Sequence, residues 1–239
     1  ADQQAQVVEA PRGFLHRISC DHLEAADVGF KGEQYALVCV DQYSGVIHTY
    51  PATNKSQSAV ENALRHFCRE TRPIVASDRY PSILAAIHNL GMSSDPSPPN
   101  DPKHNPSAES AIKTVRQGTR SLLLQSGLGV KFWPRAMRCF SYQYGFNTFP
   151  SLEPGGLREA VRQHDDALPD GFIGPAPPPP EYESKIHMAL SYQPETRMFP
   201  FGALVWYLSR AKDPKAPKDF GPTGIAGLYV GPEDRKSVV

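Results

Sequence analysis

The sequence is short of the features that usually classify a protein at sight. Its four cysteines, Cys20, Cys39, Cys68 and Cys139, stand far apart in apolar surroundings, and none forms the C-x-x-C pair of a structural zinc site. They read as small core residues of a protein kept in a reducing compartment. Net charge is also lacking: 25 basic residues balance 25 acidic ones. No global positive field marks a polyanion partner, so any nucleic-acid surface must be local. No apolar run approaches the roughly 18 residues of a membrane span. The polar start, residues 1–9, lacks the charged-then-apolar layout of a signal peptide. These absences point to a soluble, intracellular protein with no membrane partner. There is no glycine-rich phosphate loop, and no nucleophile motif surrounds a Ser, His or Cys.

What is present is a pattern of alternating elements in a chain of 239 residues. That length suits one packed domain of about 100 to 150 residues with a smaller companion. After a polar lead-in, residues 14–20 (FLHRISC) alternate as a half-buried strand does, with Asp21 at the end. Residues 35–40 (YALVCV) form a continuous apolar run and residues 46–50 (VIHTY) alternate after a turn, which predicts a hairpin. Asn54 is placed to cap a helix carrying Val60, Ala63, Leu64 and Phe67 on one face. Residues 73–77 (PIVAS) read as a short buried strand ending at Asp78. Ile83, Leu84, Ile87 and Leu90 mark a helix closed by Gly91. Strand and helix alternating in this way predict an α/β sheet.

Residues 93–106 (SSDPSPPNDPKHNP) read as an exposed loop leading into a long helix. Ala108, Ile112, Val115, Thr119 and Leu122 are that helix's expected buried stripe, and Gly127 its end. Pro134 suits the first turn of another helix, with Met137, Phe140 and Tyr144 facing inward. The expected division is a lead-in over 1–13, a core over 14–150, a proline-rich linker over 151–198 and a small β-barrel-like segment over 199–239. The linker contains residues 174–180 (GPAPPPP), which favour an extended polyproline conformation able to dock a partner. Residues 202–208 and 223–230 read as strands around a basic loop with Lys212, Lys215 and Lys218.

Three carboxylates carry the chemistry. Asp21 and Asp78 terminate predicted strands of one sheet, where α/β folds place functional groups, and Glu109 opens a helix just after a loop. Converging, they make an oxygen-rich site for magnesium, and two such ions can clamp the attacking and leaving oxygens of a phosphoryl transfer. Lys113, Arg116 and Arg120 follow Glu109 on the same helical face, with Lys103 nearby, so phosphate-gripping cations flank the carboxylates. Each group has a bland counterpart: a strand-end aspartate, a helix N-cap, a dipole-complementing glutamate, a solvated basic face. Their ordered combination favours the site. Asp41 is expected to serve the turn before Tyr43, and His22, Glu24 and His104 are bystanders or substrate contacts.

The same segments resemble the integrase of copia-type long-terminal-repeat retrotransposons. Residues 18–21 (ISCD), 38–45 (VCVDQYSG) and 74–78 (IVASD) are similar to the family's aspartate-bearing strands and turn. Residues 105–109 (NPSAE) are similar to its glutamate motif, and 120–128 (RSLLLQSGL) with 132–134 (FWP) to the continuation. Residues 201–205 (FGALV) and 224–231 (GIAGLYVG) resemble the region after the core. The resemblance implies a ribonuclease H-like core, a mixed five-stranded sheet flanked by helices. It also implies magnesium- or manganese-dependent processing and joining of DNA ends in the nucleus, with two ions on Asp21, Asp78 and Glu109. Lys113 and Arg116 would hold DNA phosphates, in a homo-oligomer. The family's N-terminal zinc module has no counterpart here, as expected of a fragment, a processed product or a decayed copy. Pro106 stands where the family has glycine, and the turn after Asp78 differs. The alternative is therefore a remnant that binds nucleic acid without turnover.

Overall fold

The computed structural model describes residues 11–96, 105–147, 184–191, 198–208 and 224–231. Five strands build the central sheet: β1 (Arg17–Glu24), β2 (Tyr35–Asp41), β3 (Ile47–Ala52), β4 (Ile74–Ser77) and β5 (Ser93–Pro96). Their order is β3-β2-β1-β4-β5. The first three are joined antiparallel, and β4 and β5 run parallel to β1, so the sheet is mixed, as expected.

The apolar run of β2 is continuous because both faces of the sheet are covered. Leu37 and Cys39 point toward helices α1 (Gln57–Cys68) and α2 (Pro81–Asn89), packing with Val60, Leu64, Ile83 and Ile87. Ala36, Val38 and Val40 point the other way, against Ala111 and Val115 of α3 (Pro106–Ser126) and Trp133 and Met137 of α4 (Trp133–Phe146). Along α3 the buried residues are Ala108, Ala111, Val115 and Thr119, while Ile112 and Leu122 are partly buried. Gly127 ends the helix in the left-handed conformation at φ 66°, which glycine adopts without steric penalty.

Four local expectations are corrected. The first strand begins at Arg17, not Phe14, and continues beyond Asp21 to Glu24. Residues 13–16 form a turn because the buried Asp41 carboxylate accepts the Leu15 amide at 2.9 Å, and Leu15 takes a positive φ of 58°. Ser56, not Asn54, caps α1: its hydroxyl accepts the Ala59 amide, while Asn54 accepts the Ser56 amide one step earlier. Residues 93–96 are the edge strand β5 rather than loop, held by an ion pair between Asp95 and Arg17 of β1. A short helix, α5 (Lys185–Leu190), lies within the span read as linker.

Toward the C-terminus, β6 (Leu204–Leu208) and β7 (Gly224–Leu228) pair antiparallel as a two-stranded ribbon. Phe201, just before β6, is buried beside Ala136 and Cys139 of α4. The rest of the expected barrel-like segment, its lysine loop, the polyproline stretch and the lead-in over 1–10 lie outside the described residues.

Candidate active site

The sheet register sets the two aspartates side by side. Cys20 of β1 pairs with Ser77 of β4 in parallel, and the next residues are Asp21, still within β1, and Asp78, just past the end of β4. Alternation along β1 turns Cys20 into the α1/α2 core and Leu23 into the α3/α4 core, and Asp21 shares the face of Leu23. It therefore looks toward α3, whose first turn carries Glu109. The start of α3 is tied to β1 at the same level: the buried Asn105 amide donates to the Cys20 carbonyl at 3.2 Å. Asn105 is also the helix N-cap residue, and its own carbonyl accepts the Glu109 amide at 3.2 Å.

Burial and the neighbouring carboxylates both act on Asp21. Burial pushes the Asp21 carboxyl up to about 6, with repulsion from Asp78 and Glu109 adding to it. The His22 amide, 2.6 Å from Asp21 Oδ1, and the Lys55 ammonium act in the opposite direction. The Cys20 thiol, fully buried beside them, is raised by burial and then by Asp21 and Asp78. Asp78 is half-buried and accepts the Tyr80 amide at 3.2 Å. It does not cap α2; Tyr80 occupies the N-cap position. Glu109 is exposed.

Among the described residues, no three His, Cys, Asp or Glu side chains are gathered tightly enough to enclose a metal ion. The carboxylates share a neighbourhood rather than a closed ligand shell. Their chemistry nevertheless fits a hard divalent cation: the donors are anionic oxygens, and the burial and mutual repulsion that raise Asp21 are the forces a cation would relieve.

Lys113, Arg116 and Arg120 lie exposed along α3 on the side Glu109 begins. Arg116 also donates to the Glu24 carbonyl at the end of β1, 3.3 Å away. Lys103 and His104 lie outside the described residues. Asp41 serves the turn, as expected: it is fully buried, accepts the amide and hydroxyl of Ser44 at 2.7 Å each, and has its pKa raised by burial. His22 has its pKa lowered by burial, then by Lys55, and packs edge-on against Tyr80 at 5.1 Å.

Asn105 and Lys55 were not singled out in the sequence. Asn105 entered only as the first residue of the 105–109 segment, and its readable signal was a capping residue type four positions before Glu109; Lys55 sits in a polar loop with nothing local to mark it.

No family model and no curated protein matches the chain. Among solved structures, the catalytic core domain of BIV integrase is similar, with a TM-score of 0.45 and 13% sequence identity. That match covers 64% of this chain and 99% of the BIV domain. A likeness this distant assigns no residue a role.

Proposed function

We propose that the chain is the catalytic region of a retrotransposon integrase, a divalent-metal-dependent polynucleotidyl transferase that processes DNA ends and joins them to target DNA. The observation that supports this reading is that Asp21 and Asp78 follow directly on a paired position of β1 and β4, with Glu109 in the first turn of α3, which Asn105 ties to the Cys20 carbonyl. In this reading the three carboxylates hold magnesium or manganese, two ions per site. Those ions supply charge stabilisation at the phosphate and activation of the attacking oxygen.

The chain's own residues do the rest. Lys113, Arg116 and Arg120 grip phosphates along α3, Arg with a planar fork and Lys as a point charge. Asn105 fixes where Glu109 stands relative to Asp21. Action on DNA in the nucleus as a homo-oligomer belongs to the same reading.

The altered turn after Asp78, Arg79-Tyr80-Pro81, favours a second reading, a remnant that binds nucleic acid without turnover. One experiment separates the two. The purified chain is incubated with a labelled duplex and either magnesium or manganese, beside Glu109→Gln. Metal-dependent nicking or strand transfer that falls at least about a hundredfold in Glu109→Gln supports the enzyme. Salt-sensitive binding without turnover, indifferent to metal, supports the remnant.

A further inference from the structure

The carboxylates have cations on a second side as well. Lys55, in the loop between β3 and α1, places its ammonium 4.9 Å from the centre of the Tyr35 ring and 5.3 Å from that of Tyr80. The same ammonium lies 3.5 Å from the Glu24 carboxylate. Glu24 thus joins two basic features, since its carbonyl receives Arg116 from α3. Lys55 and Arg116 flank the end of β1, one on each side. Tyr80 is two residues past Asp78, bonded to its carboxylate through the backbone amide, and 37% exposed.

Beneath Tyr80 lies His22. Its ring packs edge-on against the tyrosine, yet both ring nitrogens are buried with no hydrogen-bond partner. With its nitrogens buried, the imidazole supports the tyrosine ring from below and leaves the other face of that ring to solvent. His22 also lines a narrow crevice with Tyr35, Tyr50 and Asn54.

We propose that Lys55, Tyr80 and His22 form a polynucleotide subsite next to the carboxylates that takes one phosphate and one unpaired, stacked base. This rests on the nucleic-acid reading above and adds to it the form of the substrate. A phosphate is a stronger partner for the Lys55 ammonium than an aromatic face, because both members of the contact are charged, and the Glu24 carboxylate it must displace is an exposed, long contact worth little. Moving the ammonium onto phosphate frees the Tyr80 ring for a base, and stacking accepts any base because every base has a π-face. His22, packed edge-on beneath the ring, holds Tyr80 in place for that base. Paired bases in a duplex keep their faces covered by their neighbours, so the subsite distinguishes frayed or single-stranded ends from blunt ones.

The test uses the full chain in EDTA, to prevent turnover, and fluorescence anisotropy with a short single strand, a blunt duplex and a duplex with an unpaired overhang. Wild type should bind the single strand and the overhang more tightly than the blunt duplex. Tyr80→Ala should lose about tenfold on the first two and change the blunt duplex little, whereas Tyr80→Phe should bind like wild type. Lys55→Gln should weaken the overhang complex and lower its salt slope by about one phosphate contact. If Tyr80→Ala fails to fold, the Lys55→Gln result decides. Equal losses on all three DNAs, or none in either variant, overturn the subsite. If Lys113→Gln still weakens every DNA in that event, the nucleic-acid reading stands without the subsite. Wild type that binds none of the three overturns both.

Discussion

The side-chain amide of Asn105 donates to the main-chain carbonyl of Cys20 across 85 residues of sequence, and both groups are buried. This bond joins the first turn of α3 to the strand bearing Asp21. Asn105→Ala removes the donor and leaves a buried carbonyl without it, which should lower stability by about 1 to 2 kcal/mol. Any metal-dependent DNA cleavage should fall further than stability does, because Glu109 loses its fixed place opposite Asp21. Urea melts paired with cleavage rates at a temperature where both proteins are folded provide the check. A variant destabilised as expected but fully active would show that the tether is structural only.

Asp21 makes the metal-free protein pH-sensitive in a defined sense. Its carboxyl titrates at about 6 in the fold against an ordinary value of 3.8. Between these values the native state holds a proton that the unfolded chain has lost, so stability falls as pH rises and the loss is complete above the folded value. Asp21→Asn should therefore melt higher than wild type in EDTA at pH 8, with the gap closing toward pH 4. Asp41 is also raised, but it contributes equally to both proteins and cancels in the comparison. Magnesium or manganese at a hundredfold over its Kd should restore about 2.7 kcal/mol to wild type and much less to the variant. A gap that does not vary with pH would remove the electrostatic account of the site.

The crossing of α3 and α4 depends on a glycine inside a helix. A Cβ added at Gly118 would lie 2.0 Å from the Phe140 ring. That ring is partly buried and stacks on Tyr144 with centroids 5.7 Å apart. Helix propensity alone favours alanine over glycine by about 1 kcal/mol. Overpacking opposes it, and Gly118→Ala should destabilise by about 1 to 3 kcal/mol net. Restoration by the double variant Gly118→Ala/Phe140→Leu, in chemical melts, would identify the ring as the cause. A more stable single variant would refute the close approach.

These contacts mark where local sequence was informative. The places of Asp78 and Glu109 in the fold were legible because a strand end and a helix phase are local properties: residues 74–76 are apolar before Ser77 and Asp78, and Glu109 shares a helical repeat with Lys113 and Arg116. The two-faced burial of β2 was legible in its unbroken apolar run. β5 was not, because Ser93, Asp95 and Pro96 have loop composition, and only pairing with β4 and the Arg17 ion pair make them a strand. The start of β1 was misread for a similar reason: the group that curls residues 13–16 away is Asp41, on another strand. Lys55 gains its place from Tyr35, Tyr80 and Glu24, none of them near it in sequence.

The exposed row on α3 has a thermodynamic signature distinct from stability. Each cation that neutralises a DNA phosphate releases condensed counterions, so the logarithm of affinity falls with the logarithm of salt by about 0.9 per contact on duplex DNA. Lys113→Gln and Arg120→Gln should each reduce that slope by about one and leave the melting temperature almost unchanged, since both side chains are exposed. Arg116→Gln should reduce the slope similarly but also cost some stability, because its guanidinium donates to the Glu24 carbonyl. Titrations of one duplex at several salt concentrations measure all three. If the slopes stay at the wild-type value while affinity is unchanged, the row is a solvated helix face and DNA is held elsewhere.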